Sequence, residues 1–226
     1  KGHIRGTFGV SSDVTELVRT QRALHELAAE LEKKTRRMEE ELQLAREVQQ
    51  ALLPRAYPCL PPNASAENSV VQFAHRYLPI GGLAGDFFQI FPVSDDAVGV
   101  LVCDVMGHGV RSALVTAVLR GMVEEERHAA GNPGLFLGRL NAALTQIIAQ
   151  VEVTTFVTAY YLVIDIARQT LSYASAAHPR PVWFSRKSGR VGRLADPPPK
   201  RGPVLGLIPE VKYATATHDL AEIDAV

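Results

Sequence analysis

The sequence predicts an α+β fold, with antiparallel sheets and a helical layer behind one long N-terminal helix. Three observations carry this. Apolar runs paired across short polar turns read as hairpins at 86–104, 155–177 and 181–194. Between the first hairpin and the later two lie two segments with apolar residues at helical spacing. Residues 16–53 contain neither Gly nor Pro and repeat an apolar side chain every seventh position. Hairpins, then helices, then hairpins argue against repeated βαβ units.

The long helix comes first. Residues 1–60 hold 19 of the 48 charged side chains, a shift that separates a solvated helical element from a globular body. Leu17, Leu24, Leu31, Met38, Ala45 and Leu52 form a seven-residue seam, which predicts a parallel dimeric coiled coil. The companion seam (Gln21, Ala28, Thr35, Leu42, Gln49) is mixed and polar, so such a coil would be weak or adjustable. A single amphipathic helix lying on its own domain is the other reading of the same pattern. Pro54 and Pro58 stop the helix, while Ser12 or Asp13 caps its start, with Glu16 placed for a capping box. Residues 1–16 read as a strand, a turn and a cap, the tail of an upstream element.

The body follows. Val71, Phe73 and His75 alternate with polar or small residues as in a half-buried strand. DFFQIFPV (86–93) and AVGVLVCD (97–104) make a hairpin around Ser94-Asp95-Asp96. A helix begins near Gly109, with Val110, Leu114, Ala117, Val118, Gly121 and Met122 as its apolar stripe. A second runs over about 133–150, entered through Asn132-Pro133 and presenting Leu135, Leu140, Leu144, Ile147 and Ile148. Two more hairpins turn at Ala167-Arg168-Gln169 and at Arg186-Lys187-Ser188-Gly189, and a Pro- and Gly-rich loop precedes a last strand near 211–218.

Composition excludes several classes. With 46% hydrophobic residues the chain can bury a core, and Lys+Arg 24 against Asp+Glu 24 argues against a protein built to neutralise nucleic acid. No apolar run reaches the ~18 residues of a membrane span, and the start does not read as a signal peptide. Cys59 and Cys103 are too few for a disulfide scaffold and lack zinc spacing. A cytoplasmic setting is expected.

Chemistry concentrates at two corners of the first hairpin. Asp86 follows the run Gly81-Gly82-Leu83-Ala84-Gly85, and Asp104 ends an apolar strand and opens DVMGHG. Aspartates at such corners are hard oxygen ligands, suited to Mg²⁺ or Mn²⁺. Two carboxylates close together repel unless a cation bridges them. Turn and capping roles are the alternative for either residue alone. His108 and Arg111 stand near enough in sequence to hold a phosphate; a turn-bonding histidine and a solvated arginine are their plainer roles. His178, in Ala-His-Pro, reads as structural, fixing the turn beside Pro179. Arg120 reads as part of a solvated helix face, Cys103 as core packing and Cys59 as a loop thiol.

The stretch GLAGDFFQIFPVSDDAVGVLVCDVMGHGVRSALVTAVLRGMVEE (82–125) resembles the bacterial PPM-type (PP2C-like) serine/threonine phosphatases of the RsbU/SpoIIE group. ELQLAREVQQALLP (41–54) is similar to that group's pre-domain helix, SAAHPRPVWF (175–184) to its Ala-Gly-His-Pro turn, and GPVLGLIP (202–209) to its Gly-x-x-Leu-Gly loop. GTFGVSSDVTEL (6–17) resembles the closing strand and exit of a PAS sensor domain.

The resemblance implies an αββα sandwich, with 1–16 the tail of a PAS-like sensor, 17–57 a coiled-coil linker and 58–226 a phosphatase domain. It places metal ligands at Asp86, Asp104 and the carbonyl of Val105, with two Mn²⁺ or Mg²⁺ ions per complete site activating a water. It implies a phosphorylated STAS-type protein as substrate, with a homodimer formed through the N-terminal helix and neither nucleic acid nor membrane as partner. Two departures stand out. Gln89 replaces a usual acidic residue, and the two further metal aspartates of the family (in a Thr-Asp-Gly turn and a later motif) do not occur within the 226 residues. Asp224 fits a turn better than a ligand. Two aspartates supply −2 against the +4 of two ions, so this polypeptide is expected to bind at most one metal, weakly, and to hydrolyse little. A non-catalytic dimeric scaffold or pseudophosphatase is the alternative. A nucleotide-binding or cyclase-like domain lacks the usual Gly-rich phosphate loop.

Overall fold

The structure is a computed structural model that describes every residue except 1, 4, 5, 7, 80, 81, 151–154 and 197–201. The chain divides into two compact units, Lys1–Leu44 and Ala45–Val226.

Helix α1 (Thr15–Ala51) contributes to both. The Asp13 carboxylate accepts from the Thr15 N–H at 2.9 Å and so caps the first turn. That bond, through side chain and backbone, holds the Asp13 carboxyl below its ordinary value. In the first unit the Leu17, Leu24, Leu31 and Met38 side chains are all more than half exposed. The pairs Lys34–Glu30 and Arg37–Glu41 brace the helix at i, i+4, each worth about 0.3–0.5 kcal/mol. Among the described residues before Thr15 none lies in a strand, and part of the strand expected there falls outside the described residues.

In the second unit β1 (Asp86–Ser94) and β2 (Ala97–Val105) form the expected hairpin. Helices α2 (Val110–Glu125) and α3 (Pro133–Ile148) follow, then β3 (Val157–Asp165), β4 (Thr170–Ala176), β5 (Val182–Ser185), β6 (Arg190–Arg193) and β7 (Ala216–Asp219). The strands build an antiparallel five-stranded sheet, ordered β1-β2-β3-β4-β7, and a two-stranded sheet, β5-β6. Alternation along the strands gives the large sheet two different faces. Phe87, Phe91, Leu101, Cys103, Val105, Ala159 and Tyr161 bury one face against Leu119, Val123, Phe136, Leu137 and Leu140 of the helices. Phe136 and Tyr161 meet at 4.4 Å between ring centroids, and the Tyr161 hydroxyl donates to the Ala130 carbonyl at 2.9 Å. On the other face Tyr160, Leu162, Leu171 and Tyr173 pack with Leu194 and, from β5, Trp183.

Four expectations need correction. The segment 71–79 forms no strand, because its alternating side chains find no ladder partner among the described residues. In α2 most of the expected stripe is turned outward: Val110, Leu114, Ala117, Val118 and Gly121 are exposed and only Met122 is buried as expected, together with Ser112, Thr116, Leu119 and Val123. The two hydroxyls that displaced it are satisfied within their own helix start, Ser112 donating to Gly109 O at 3.0 Å and Thr116 to Ala113 O at 2.8 Å. Their burial therefore carries little desolvation cost. In α3 Leu140 and Leu144 are buried as expected, together with Phe136 and Leu137, whereas Leu135 and Ile147 remain exposed. The last strand is shorter than expected, Ala216–Asp219.

Candidate active site

The start of β1 and the end of β2 are fastened together at Gly85. Val105 N–H donates to Gly85 O at 3.1 Å, and a Cβ on Gly85 would lie 2.5 Å from the Val105 carbonyl oxygen. Only glycine permits that approach. The ladder then sets Asp86 directly opposite Asp104, and register partners in an antiparallel pair have Cα atoms about 4.5–5.5 Å apart with side chains on the same face. One strand further on, Thr158 of β3 is the register partner of Asp104. The row Asp86, Asp104, Thr158 therefore crosses three strands on the face away from α2 and α3.

Withdrawal from water and then the facing Asp104 charge push the Asp86 carboxyl above the ordinary carboxylate range, against a downward pull from His178. His178 ties into this row from the turn after β4: its Nδ1 lies 2.8 Å from the Thr158 hydroxyl. Burial pulls the His178 ring below its ordinary value, opposed by the charges of Asp104 and Asp86. Tyr77 closes another side, its hydroxyl donating to the Asp86 backbone carbonyl at 3.3 Å. Burial and the Asp86 charge raise its pKa.

The donor set of Asp86, Asp104 and the Val105 carbonyl consists of oxygens alone, which fits a hard divalent cation. Two mutually repelling carboxylates gain most from such an ion. Among the described residues no cluster of three or more His, Cys, Asp or Glu is placed to hold a metal.

The remaining candidates lie elsewhere. His108 and Arg111, both exposed, line a groove of about 610 Å³ with Met106, Leu114, Val118 and Ile147. Arg120 is on the helical side, bonded to Gln89 at 3.1 Å and paired with Glu124. Asp224 stands at the end of β5, where its carboxylate accepts from Arg186 N–H at 2.6 Å. Cys103 is buried, and burial followed by the Asp104 charge pushes its thiol far up.

Sequence reasoning placed Gln49 in the polar companion seam and within the stretch 41–54 that resembles a pre-domain helix, without giving it a role. Its amide is buried, donating to Ala84 O at 2.8 Å and to the Thr116 hydroxyl at 3.2 Å, and accepting from Ala84 N–H at 3.1 Å. Arg46 donates to Gly82 O at 3.1 Å. The last turns of α1 thus hold the loop that delivers Asp86. A polar residue at a helix seam, and the similarity of 41–54 to the family's pre-domain helix, were the signals available for this. His178 stood out in sequence as part of an Ala-His-Pro turn and was read as structural, whereas Thr158 had no local signal, since β-sheet register over 54 positions brings Asp104 and Thr158 together.

Comparison with known proteins agrees with this layout. A family described as "Stage II sporulation protein E (SpoIIE)" matches residues 94–226. Phosphoserine phosphatase RsbP of Bacillus subtilis (strain 168) is 27% identical over 183 residues, covering 80% of this chain and 42% of RsbP. Phosphoserine phosphatase RsbU of the same organism is 23% identical over 186 residues, covering 82% of this chain and 51% of RsbU. The chain spans about half the length, or less, of these curated relatives. Among solved structures, the SiaA-PP2C domain of Pseudomonas aeruginosa superposes with a TM-score of 0.61 at 19% identity, over 83% of this chain and 69% of that one. The fold is therefore PP2C-like.

Proposed function

The chain belongs to the SpoIIE family, and from that premise we propose that it is a metal-dependent protein phosphatase module acting on phosphoserine or phosphothreonine in bacterial signalling. The observation that carries this is the register pairing of Asp86 with Asp104. Its relatives RsbP and RsbU are named phosphoserine phosphatases.

In this reading Asp86, Asp104 and the Val105 carbonyl hold one Mn²⁺ or Mg²⁺ ion, weakly. A divalent ion held there would lower the pKa of a bound water and offset charge on the phosphoryl group. The chain's own residues supply the rest. The Gly85–Val105 contact fixes the two carboxylates before any ligand arrives. Cys103 is buried with its thiol pushed up, so it offers no thiolate nucleophile and no covalent phosphoenzyme. His108 and Arg111 are proposed to meet the protein substrate.

A phosphorylated STAS-type regulator is the substrate we favour, in a cytoplasmic setting. No helix among the described residues is long and apolar enough to cross a membrane. Residues 1–16 are read as the tail of a PAS-like sensor, 17–57 as the linker and 58–226 as the phosphatase domain. The exposed seam of α1 supports pairing with a second copy. The bonds of Gln49 and Arg46 to the loop before Asp86 support control of the site by that helix.

A second reading, a partner-binding module that does not turn over, draws on the pairing of two carboxylates alone, Asp86 and Asp104. Hydrolysis of a phosphoserine peptide with Mn²⁺ separates the two. The phosphatase reading expects slow, Mn²⁺-dependent phosphate release that Asp86→Asn and Asp104→Asn each abolish. Equal rates in all three proteins remove it.

A further inference from the structure

His178 sits in an unusual backbone setting. The residue before it, Ala177, has φ +57°, in the left-handed region that a residue with a Cβ rarely enters. The strain is held from both sides: Ala177 bridges to Ala159 of β3, and Ala176 bridges to Gly202. Strained residues so fixed cluster at functional sites. The consequence here is positional. The turn swings His178 back over the sheet, where Nδ1 meets Thr158 at 2.8 Å, and Thr158 is the register neighbour of Asp104. The ring is thus anchored on one nitrogen and stands beside the carboxylate pair, leaving Nε2 without a partner among the described residues.

We propose that His178 is a phosphate-binding residue of this site: Thr158 donates to Nδ1, which leaves the proton on Nε2 as a hydrogen-bond donor to a phosphoryl oxygen held at Asp86 and Asp104. The inference rests on the phosphatase reading and deepens it. Thr158 is then a positioning residue acting through the ring. A neutral donor suits the place, since it adds directionality without drawing the two carboxylates into an ion pair. The turn-fixing role expected from sequence requires only the Nδ1 bond, and the two roles use different nitrogens.

Amide substitutions separate those nitrogens. Glutamine places its NH₂ near the position of Nε2, and asparagine places a polar atom near Nδ1. Binding of inorganic phosphate to the full chain in saturating Mn²⁺, followed by ³¹P relaxation, reads the difference, with Mn²⁺ affinity measured in parallel. The expectation is that His178→Gln keeps phosphate affinity within about threefold, whereas His178→Asn weakens it about tenfold. Mn²⁺ affinity stays the same in all three proteins. In Thr158→Val the histidine ¹⁵N signature of a fixed Nε2–H tautomer is lost. Equal phosphate affinity in both amide variants, or an impaired Gln variant beside an intact Asn variant, overturns the assignment. Phosphoserine-peptide turnover by the unsubstituted protein is scored separately. Its absence with a weakened Asn variant sinks the phosphatase reading alone, and its presence with unaffected variants sinks the His178 assignment alone.

Discussion

The two faces of the β1–β2–β3 ladder differ by a single step along each strand. Cys103 and Val105 point into a dry core, packed with Leu119, Phe136 and Tyr161. Asp104, between them, points the other way, toward Asp86 and Thr158. One face is buried and apolar apart from Gln89, and its role is stability. The other gathers charges that repel each other, and it is tolerated because the first face holds the hairpin shut. A one-residue slip would exchange the two sets and destroy both. Reactive geometry here is thus a by-product of core register.

The largest effect that sharpens this contrast lies on the buried face. Phe136→Ala removes a ring that touches Phe91 and Tyr161, and a loss of about 3–5 kcal/mol is expected in urea unfolding. A loss under about 1 kcal/mol would mean that the helical face is not what holds the hairpin. Gln49→Ala comes next. It leaves Ala84 N–H and O without their partner inside the loop that leads to Asp86, and about 2 kcal/mol should be lost, with faster amide exchange in residues 82–86. Unchanged exchange there would detach α1 from the site.

Asp165, at the end of β3, gives a pH test. Burial pushes its carboxyl up, but the Arg168 N–H at 2.8 Å and guanidinium at 2.6 Å outweigh burial, and the net shift is downward. A depressed folded pKa gives stability that is present above the unfolded value and is lost as pH falls through the folded one. Asp165→Asn should therefore cost about 1 kcal/mol at pH 7, and the gap from wild type should close in acid, below the ordinary aspartate range. A gap that persists at low pH would contradict the assigned cause. The smallest effect is a gain. Ala177→Gly relieves the positive φ and should raise stability by about 0.5–1 kcal/mol, with no gain if the turn is unstrained.

Much of the fold was legible because hairpins and helix starts are written locally. Asn132 caps α3 through Leu135 N–H at 3.1 Å, and the turns fall where polar residues interrupt apolar runs. The buried face of α2 was not legible. Hydropathy counts Ser112 and Thr116 as polar, whereas each returns its hydroxyl to its own helix and packs inward. Alternation at 71–75 suggested a strand, but a strand also needs a partner, which no local pattern supplies. Within the site, two acidic corners on one hairpin pointed to Asp86 and Asp104. Their direct opposition, and the arrival of Thr158 and His178 beside them, depend on pairing between distant strands.

The central claim is that Asp86 and Asp104 share one hard cation. Mn²⁺ binding to the full chain, followed by electron paramagnetic resonance of the free ion, tests it most directly. One weak site is expected in the unsubstituted protein, absent from both Asp86→Asn and Asp104→Asn. Mn²⁺ held equally well by either variant, or two tight ions in the unsubstituted chain, would contradict it.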